Sequence, residues 1–214
     1  MKKPNNRYLA LALIGIYSLT VFASVCNAAD INFPDTNGHW AEMYISRLAE
    51  MGAISGMTDG NFYPDNTVTY AQLVRMIISS KYGIIDPIDD YWASGYISKA
   101  AEIGIIEQHE TDKAIMEQAI NRMETARIIT NSLLIILEEE FEPNTSAVEE
   151  FEDIDKGCHL CLGNYHNNVG QPYVKGIISG RPGPVFDAEA FLTRAEASVV
   201  IVRMLDPSTR DARY

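Results

Sequence analysis

Basic residues are scarce in this chain. Its 214 residues hold 17 Lys plus Arg against 29 Asp plus Glu, a formal charge of −12, and the body of the sequence has no Lys/Arg run. A polyphosphate would be repelled, which excludes nucleic acid as a partner. Histidine is equally sparse, and no Ser-His-Asp, Cys-His or paired-carboxylate arrangement has a spacing that points to catalysis. Neither an enzyme nor a cofactor is expected. Cysteine occurs at 26, 158 and 161 alone. The longest apolar run, Tyr8 to Val25, follows Lys2, Lys3 and Arg7 and ends in the small-residue exit Cys26-Asn27-Ala28, the three parts of a secretory signal cleaved after Ala28. Ser18, Thr20 and the Ala28-Ala29 exit fit a signal better than a retained anchor, and Val25 is too large for the position before a lipidated cysteine. Loss of the three cations takes the charge from −12 to −15. The mature protein is expected to be an acidic exported domain without a stable membrane anchor.

What the chain does have is repetition. Leu192-Thr193-Arg194-Ala195-Glu196 is echoed by Val68-Thr69-Tyr70-Ala71-Gln72 and Ile120-Asn121-Arg122-Met123-Glu124. Each places a short oxygen-bearing side chain three residues before Glu or Gln, the reciprocal cap of a helix start. Capping accounts for Thr193 and Glu196 but not for Arg194 or Arg122, because a cation in the first turn opposes the helix dipole. Such residues are candidates for holding an anion. A second landmark, a glycine followed by small or branched residues, begins at Gly52, Gly104 and Gly176, each 17 residues before Thr69, Asn121 and Thr193. One helix-loop-helix per period implies a repeat architecture in which no unit buries its apolar face alone.

In chain order, Phe33-Pro34-Asp35 is an extended entry with Asp35 as a helix cap, and Trp40, Tyr44, Ile45, Leu48 and Met51 recur at helical spacing. The connection from Gly56 to Asp65 is rich in turns; a calcium loop fails there, because Ser55, Met57 and Asn66 would fall on ligand positions. The second unit follows at an offset of 52, with Trp92 matching Trp40 and a connection, Gln108 to Glu117, stripped of glycine and proline. The third is offset by 72, carries an insertion with Cys158-His159-Leu160-Cys161 and His166, and has a first helix damaged by Asn164 and Pro172. The boundaries are a signal peptide at 1–28, units at 29–84, 85–138 and 151–206, an acidic solvated linker at 139–150 and a polar tail at 207–214.

At Phe33-Pro34-Asp35, Trp40-Ala41, Gly60-x-Phe62-x-Pro64-Asp65 and Thr193-Arg194-Ala195-Glu196 the sequence resembles the S-layer homology family. The resemblance implies an all-α fold of three helix-loop-helix repeats in a pseudo-threefold assembly. It also implies inter-repeat grooves that bind a secondary cell-wall polysaccharide associated with peptidoglycan, often through a pyruvylated sugar. Tyr70 replaces the motif arginine in the first unit, and the third lacks the tryptophan, so fewer than three grooves are expected to work.

The expected ligand-binding set is Arg194 and Arg122, with Glu196 and Glu124 of the same motifs and Trp40 and Trp92. A guanidinium fork suits a carboxylate. As exposed first-turn cations the arginines should add little to stability. The tryptophans can stack on sugars, but at helical spacing beside Tyr44 and Tyr96 they read first as core anchors. Arg75 and Arg127 read as exposed helix surface. Cys158 and Cys161 lead to a local disulfide in an oxidising exterior; zinc, with His159 or His166 added, and free thiols are the alternatives. The rival function is an adaptor that binds other envelope proteins or itself.

Overall fold

The computed structural model describes residues 33–154 and 165–211, and for residues 165 and 166 the backbone alone. The leader at 1–28, the Cys158-His159-Leu160-Cys161 stretch and the His166 side chain lie outside them, and with them the disulfide and zinc readings. The described residues are helical, with isolated bridges but no strand.

Three helices form the centre: α2 (Tyr70–Tyr82), α5 (Arg122–Ile135) and α8 (Arg194–Leu205). Their caps are Thr69, Asn121 and Thr193, whose side chains accept from Gln72 N (3.3 Å), Glu124 N (2.9 Å) and Glu196 N (3.1 Å). In α2 and α8 the box closes, since Thr69 N donates to Gln72 Oε1 and Thr193 N to Glu196 Oε2. In α5 it stays half-made, because Glu124 turns to Arg127. Most faces of these helices are buried. Their small hydroxyl residues Ser79, Thr125, Ser132 and Ser198 allow close packing by returning their hydroxyls to the carbonyl four residues back.

Just before each central helix, one extended residue joins a closed circuit. Val68 N donates to Leu192 O (3.0 Å), Leu192 N to Ile120 O (3.1 Å) and Ile120 N to Val68 O (3.0 Å), with all three residues buried. The outer helices follow the same circular order: α3 (Ser94–Ile103) packs on α2, α6 (Tyr165–Asn168) and α7 (Gly170–Val174) pack on α5, and α1 (Glu42–Glu50) packs on α8. Arg47 on α1 meets Asp206 just past α8 at 2.6 Å.

Asp35 does not cap a helix. Its carboxylate accepts from Phe62 N (2.8 Å) and Tyr63 N (2.6 Å), and Asp153 does the same for Phe186 N (2.8 Å) and Asp187 N (2.5 Å). Each clamp holds a left-handed residue, Tyr63 at φ 59 and Asp187 at φ 64, where a short loop must reverse. The Phe before each Asp lies against the clamped loop, Phe33 on Phe62 and Phe151 on Phe186. Gly56 and Gly180 are glycine because a Cβ would come within 2.9 Å of those Phe33 and Phe151 rings. In the middle unit the register holds Ile85, Pro87 and Gln108 instead. Without a clamp, its connection is helical: a 3₁₀ turn at Gln108–Thr111, then α4 (Lys113–Met116).

The stretch read as a solvated linker is exposed over most of its length but is tied down at several points. Arg210 grips Glu139 with two bonds of 2.7 Å, Lys175 adds a third at 2.9 Å, Gln171 brackets the Glu142 backbone, and Val148 is buried. The tail is likewise docked as far as Asp211, whose N–H donates to Gly176 O (3.0 Å) and whose carboxylate meets Arg203 at 2.6 Å.

Two outcomes follow. Asp35→Ala should lower the unfolding free energy by about 1.5–3 kcal/mol, the range for hydrogen bonds to a charged group, seen as an earlier urea midpoint at unchanged slope. The Arg210 fork, then Lys175, holds the Glu139 carboxyl at about 2, below its usual 4.5. That stabilisation is complete above about pH 4.5 and fades as pH falls toward about 2. Glu139→Gln should therefore flatten the acid limb of the stability curve in this window; an unchanged limb would remove the cluster's role.

Candidate functional site

The circular order creates three joints, each entered by the first residue of a central helix: Arg194, Arg122 or Tyr70. Neither arginine is exposed as the sequence reading assumed; each is 6% accessible. Arg194 Nε donates to Phe62 O (2.8 Å), and its guanidinium lies 4.3 Å from the centre of the Phe62 ring. The backbone of the same turn is satisfied by the same loop, with Arg194 N donating to Asn66 O and Ala195 N to Pro64 O. A first-turn cation is tolerated because it leaves the helix axis for a carbonyl and a ring face, both electron-rich. Arg122 repeats this, with Nε on Phe186 O (2.9 Å), Nη2 on Ser179 O (2.5 Å) and the guanidinium 4.9 Å from the Phe186 ring. Among the described residues neither arginine forms an ion pair with a carboxylate.

The Arg194 joint opens into a small cleft of about 20 Å³ lined by Ala53, Ile54, Ser55, Gln72, Arg75, Met76 and Arg194. Arg75, expected on open surface, is half-buried here and donates to Ser55 Oγ (3.0 Å). Two cations share the cleft, and none of its lining residues is acidic. Burial, then the nearby Arg75, pushes Arg194 down to about 10, with the clamping carboxylate of Asp35 working in the opposite direction as Asp153 does at the Arg122 joint. An arriving anion would relieve both penalties.

The other joints carry their own acids. Beside Arg122, Arg181 meets Glu196 at 2.9 Å and Asp187 at 3.6 Å. Burial and then Arg181 lower Arg122, while Glu196, Asp187 and Asp153 work in the opposite direction. At the third joint the Tyr70 hydroxyl is raised by burial and then by Glu124. Arg127 is buried as well, correcting its reading as helix surface; its guanidinium pairs with Glu124, Nε at 2.9 Å, and with Glu110. Burial alone would lower Arg127, but the two carboxylates outweigh it and hold it above its usual value. Glu196 and Glu124, predicted among the ligand-binding residues, are thus each committed to an arginine of the chain.

Trp40 and Trp92 are not core anchors, being 62% and 41% accessible. Both precede their helices, α1 beginning at Glu42 and α3 at Ser94, so helical spacing did not govern them. Tyr96 takes the buried position instead, and neither tryptophan lines the cleft. Ser55, Gln72 and Arg75 were missed. The available signal was Gln72, the uncharged member of the Gln72, Glu124, Glu196 register.

The S-layer homology domain family matches residues 32–74. The chain is 30% identical over 190 residues to an amylopullulanase of Thermoanaerobacterium thermosulfurigenes, covering 84% of this chain and 10% of that protein. It is 27% identical over 168 residues to a cellulosome-anchoring protein of Acetivibrio thermocellus (71% and 36%) and 26% over 232 aligned positions to an S-layer protein of Bacillus licheniformis (100% and 25%). The chain therefore spans between a tenth and about a third of these relatives.

With Arg194 buried, its truncation should not be silent. Arg194→Ala should lower the unfolding free energy by about 2–3 kcal/mol through the lost hydrogen bond and ring contact. Denaturation at neutral pH reads this, and a folded variant of parental stability would contradict the burial.

Proposed function

Since the chain belongs to the S-layer homology family and its place is the cell surface or cell wall, we propose that it is a non-catalytic module that holds to the wall without a covalent bond, by binding an acidic secondary cell-wall polysaccharide. The observation that carries this reading is the buried Arg194 beside Arg75 in a cleft without acidic lining. A sugar-borne carboxylate, such as a pyruvate ketal, presents the planar pair of oxygens that a guanidinium binds best. The units at 29–84, 85–138 and 151–206 stand about an approximate threefold axis in this proposal. The circuit through Val68, Ile120 and Leu192 and the circular packing of the outer helices support that arrangement. With a net negative chain, local geometry and not long-range attraction must hold the polymer.

The mature protein should sediment with purified cell walls and remain in solution when the attached polymer has been chemically stripped from them. Equal sedimentation with stripped walls, or concentration-dependent self-assembly without any wall, would replace this reading with the adaptor function.

A further inference from the structure

Among the differences between the three joints is the charge already inside them. We propose that the Arg194 joint is the one open to an anionic ligand, that the chain therefore takes one carboxylate-bearing sugar, and that Gln72 is the residue that keeps this joint open. The inference rests on the wall-binding reading above and narrows it to a site, a stoichiometry and a specificity-determining residue.

The three equivalent capping positions, Gln72, Glu124 and Glu196, each face a joint. At the Tyr70 joint Glu124 reaches along the helix to Arg127 three residues on, and Glu110, delivered by the rebuilt 3₁₀ connection, grips the same guanidinium. At the Arg122 joint Glu196 and Asp187 meet Arg181. An incoming carboxylate at either joint must displace or adjoin a carboxylate already there, and like charges at such range oppose each other. At the Arg194 joint Arg75 stands three residues after Gln72, the register of Arg127 after Glu124, but its partner is the neutral Ser55 hydroxyl. Gln72 completes the cap with its Oε1, as Glu196 does at its own helix. That fixes the side chain and leaves its Nε2 as a donor, where a glutamate would present a second acceptor. Charge and hydrogen-bonding polarity at this position thus select the same ligand: an acceptor-rich anion between Arg75 and Arg194.

The decisive variant is Gln72→Glu, because glutamate closes the same box with a threonine at the start of α8, so the fold should keep its melting temperature. In titration calorimetry the mature protein should bind one equivalent of a monosaccharide carrying a pyruvate ketal, and the unketalated sugar should not bind. A uronic acid run in parallel tells whether any sugar carboxylate suffices or the ketal is required. Gln72→Glu should weaken binding by about tenfold or more, because the introduced carboxylate would pair with Arg75 as Glu124 pairs with Arg127. Two or three equivalents on the parent, or a folded Gln72→Glu variant that binds the ketal and sediments with walls like the parent, would overturn the inference and leave wall binding intact. A parent that neither binds the ketal nor sediments with walls would overturn both.

Discussion

Val68, Ile120 and Leu192 pass a backbone hydrogen bond from one to the next and back to the first. Each spends its N–H on one neighbour and its C=O on the other, in a place where water is excluded. Buried peptide groups must be paired, and each one left orphaned costs about 1–3 kcal/mol. Two units cannot close this circuit, since one donor and one acceptor would face each other's absence. The central helices start where the circuit leaves them, so its geometry fixes where α2, α5 and α8 begin and which residue enters each joint.

At two of those joints the entering residue is an arginine that the fold itself uses. Nε and one face of the guanidinium are engaged by a phenylalanine carbonyl and ring. At the Arg194 joint the cleft receives what remains of the guanidinium. Burial makes the cation costly to leave unpaired and therefore responsive to an anion. In the proposed site, that placement would make loss of stability and loss of binding hard to separate at Arg194 itself, which gives the neighbouring neutral Gln72 its diagnostic value.

What could be read from the sequence was local. Caps at Thr69, Asn121 and Thr193 depend on groups three residues apart, and the structure has them where the spacing placed them. The loss of loop form after Gln108 was visible in its missing glycine and proline. Burial of Arg194 was not visible, because it depends on a carbonyl at Phe62, 132 positions away. Asp35 looked like a cap because its clamp targets lie 27 and 28 residues on. Glu139 looked solvated for the same reason, its partners being at 175 and 210. Trp40 failed differently: periodicity was extended past the end of a helix that starts at Glu42.

The contact of α1 with α8 has a temporal side. About 140 residues separate these helices, so α1 leaves the ribosome on the order of ten seconds before its partner exists. Until α8 arrives, the apolar face of α1, with Ile45 and Leu48, has no permanent cover, and the circuit lacks Leu192. Such long-range closure is slow for any chain. The delay amounts to a built-in postponement: the docking of α1 and the closure of the circuit both wait until α8 and the residue before it have been delivered.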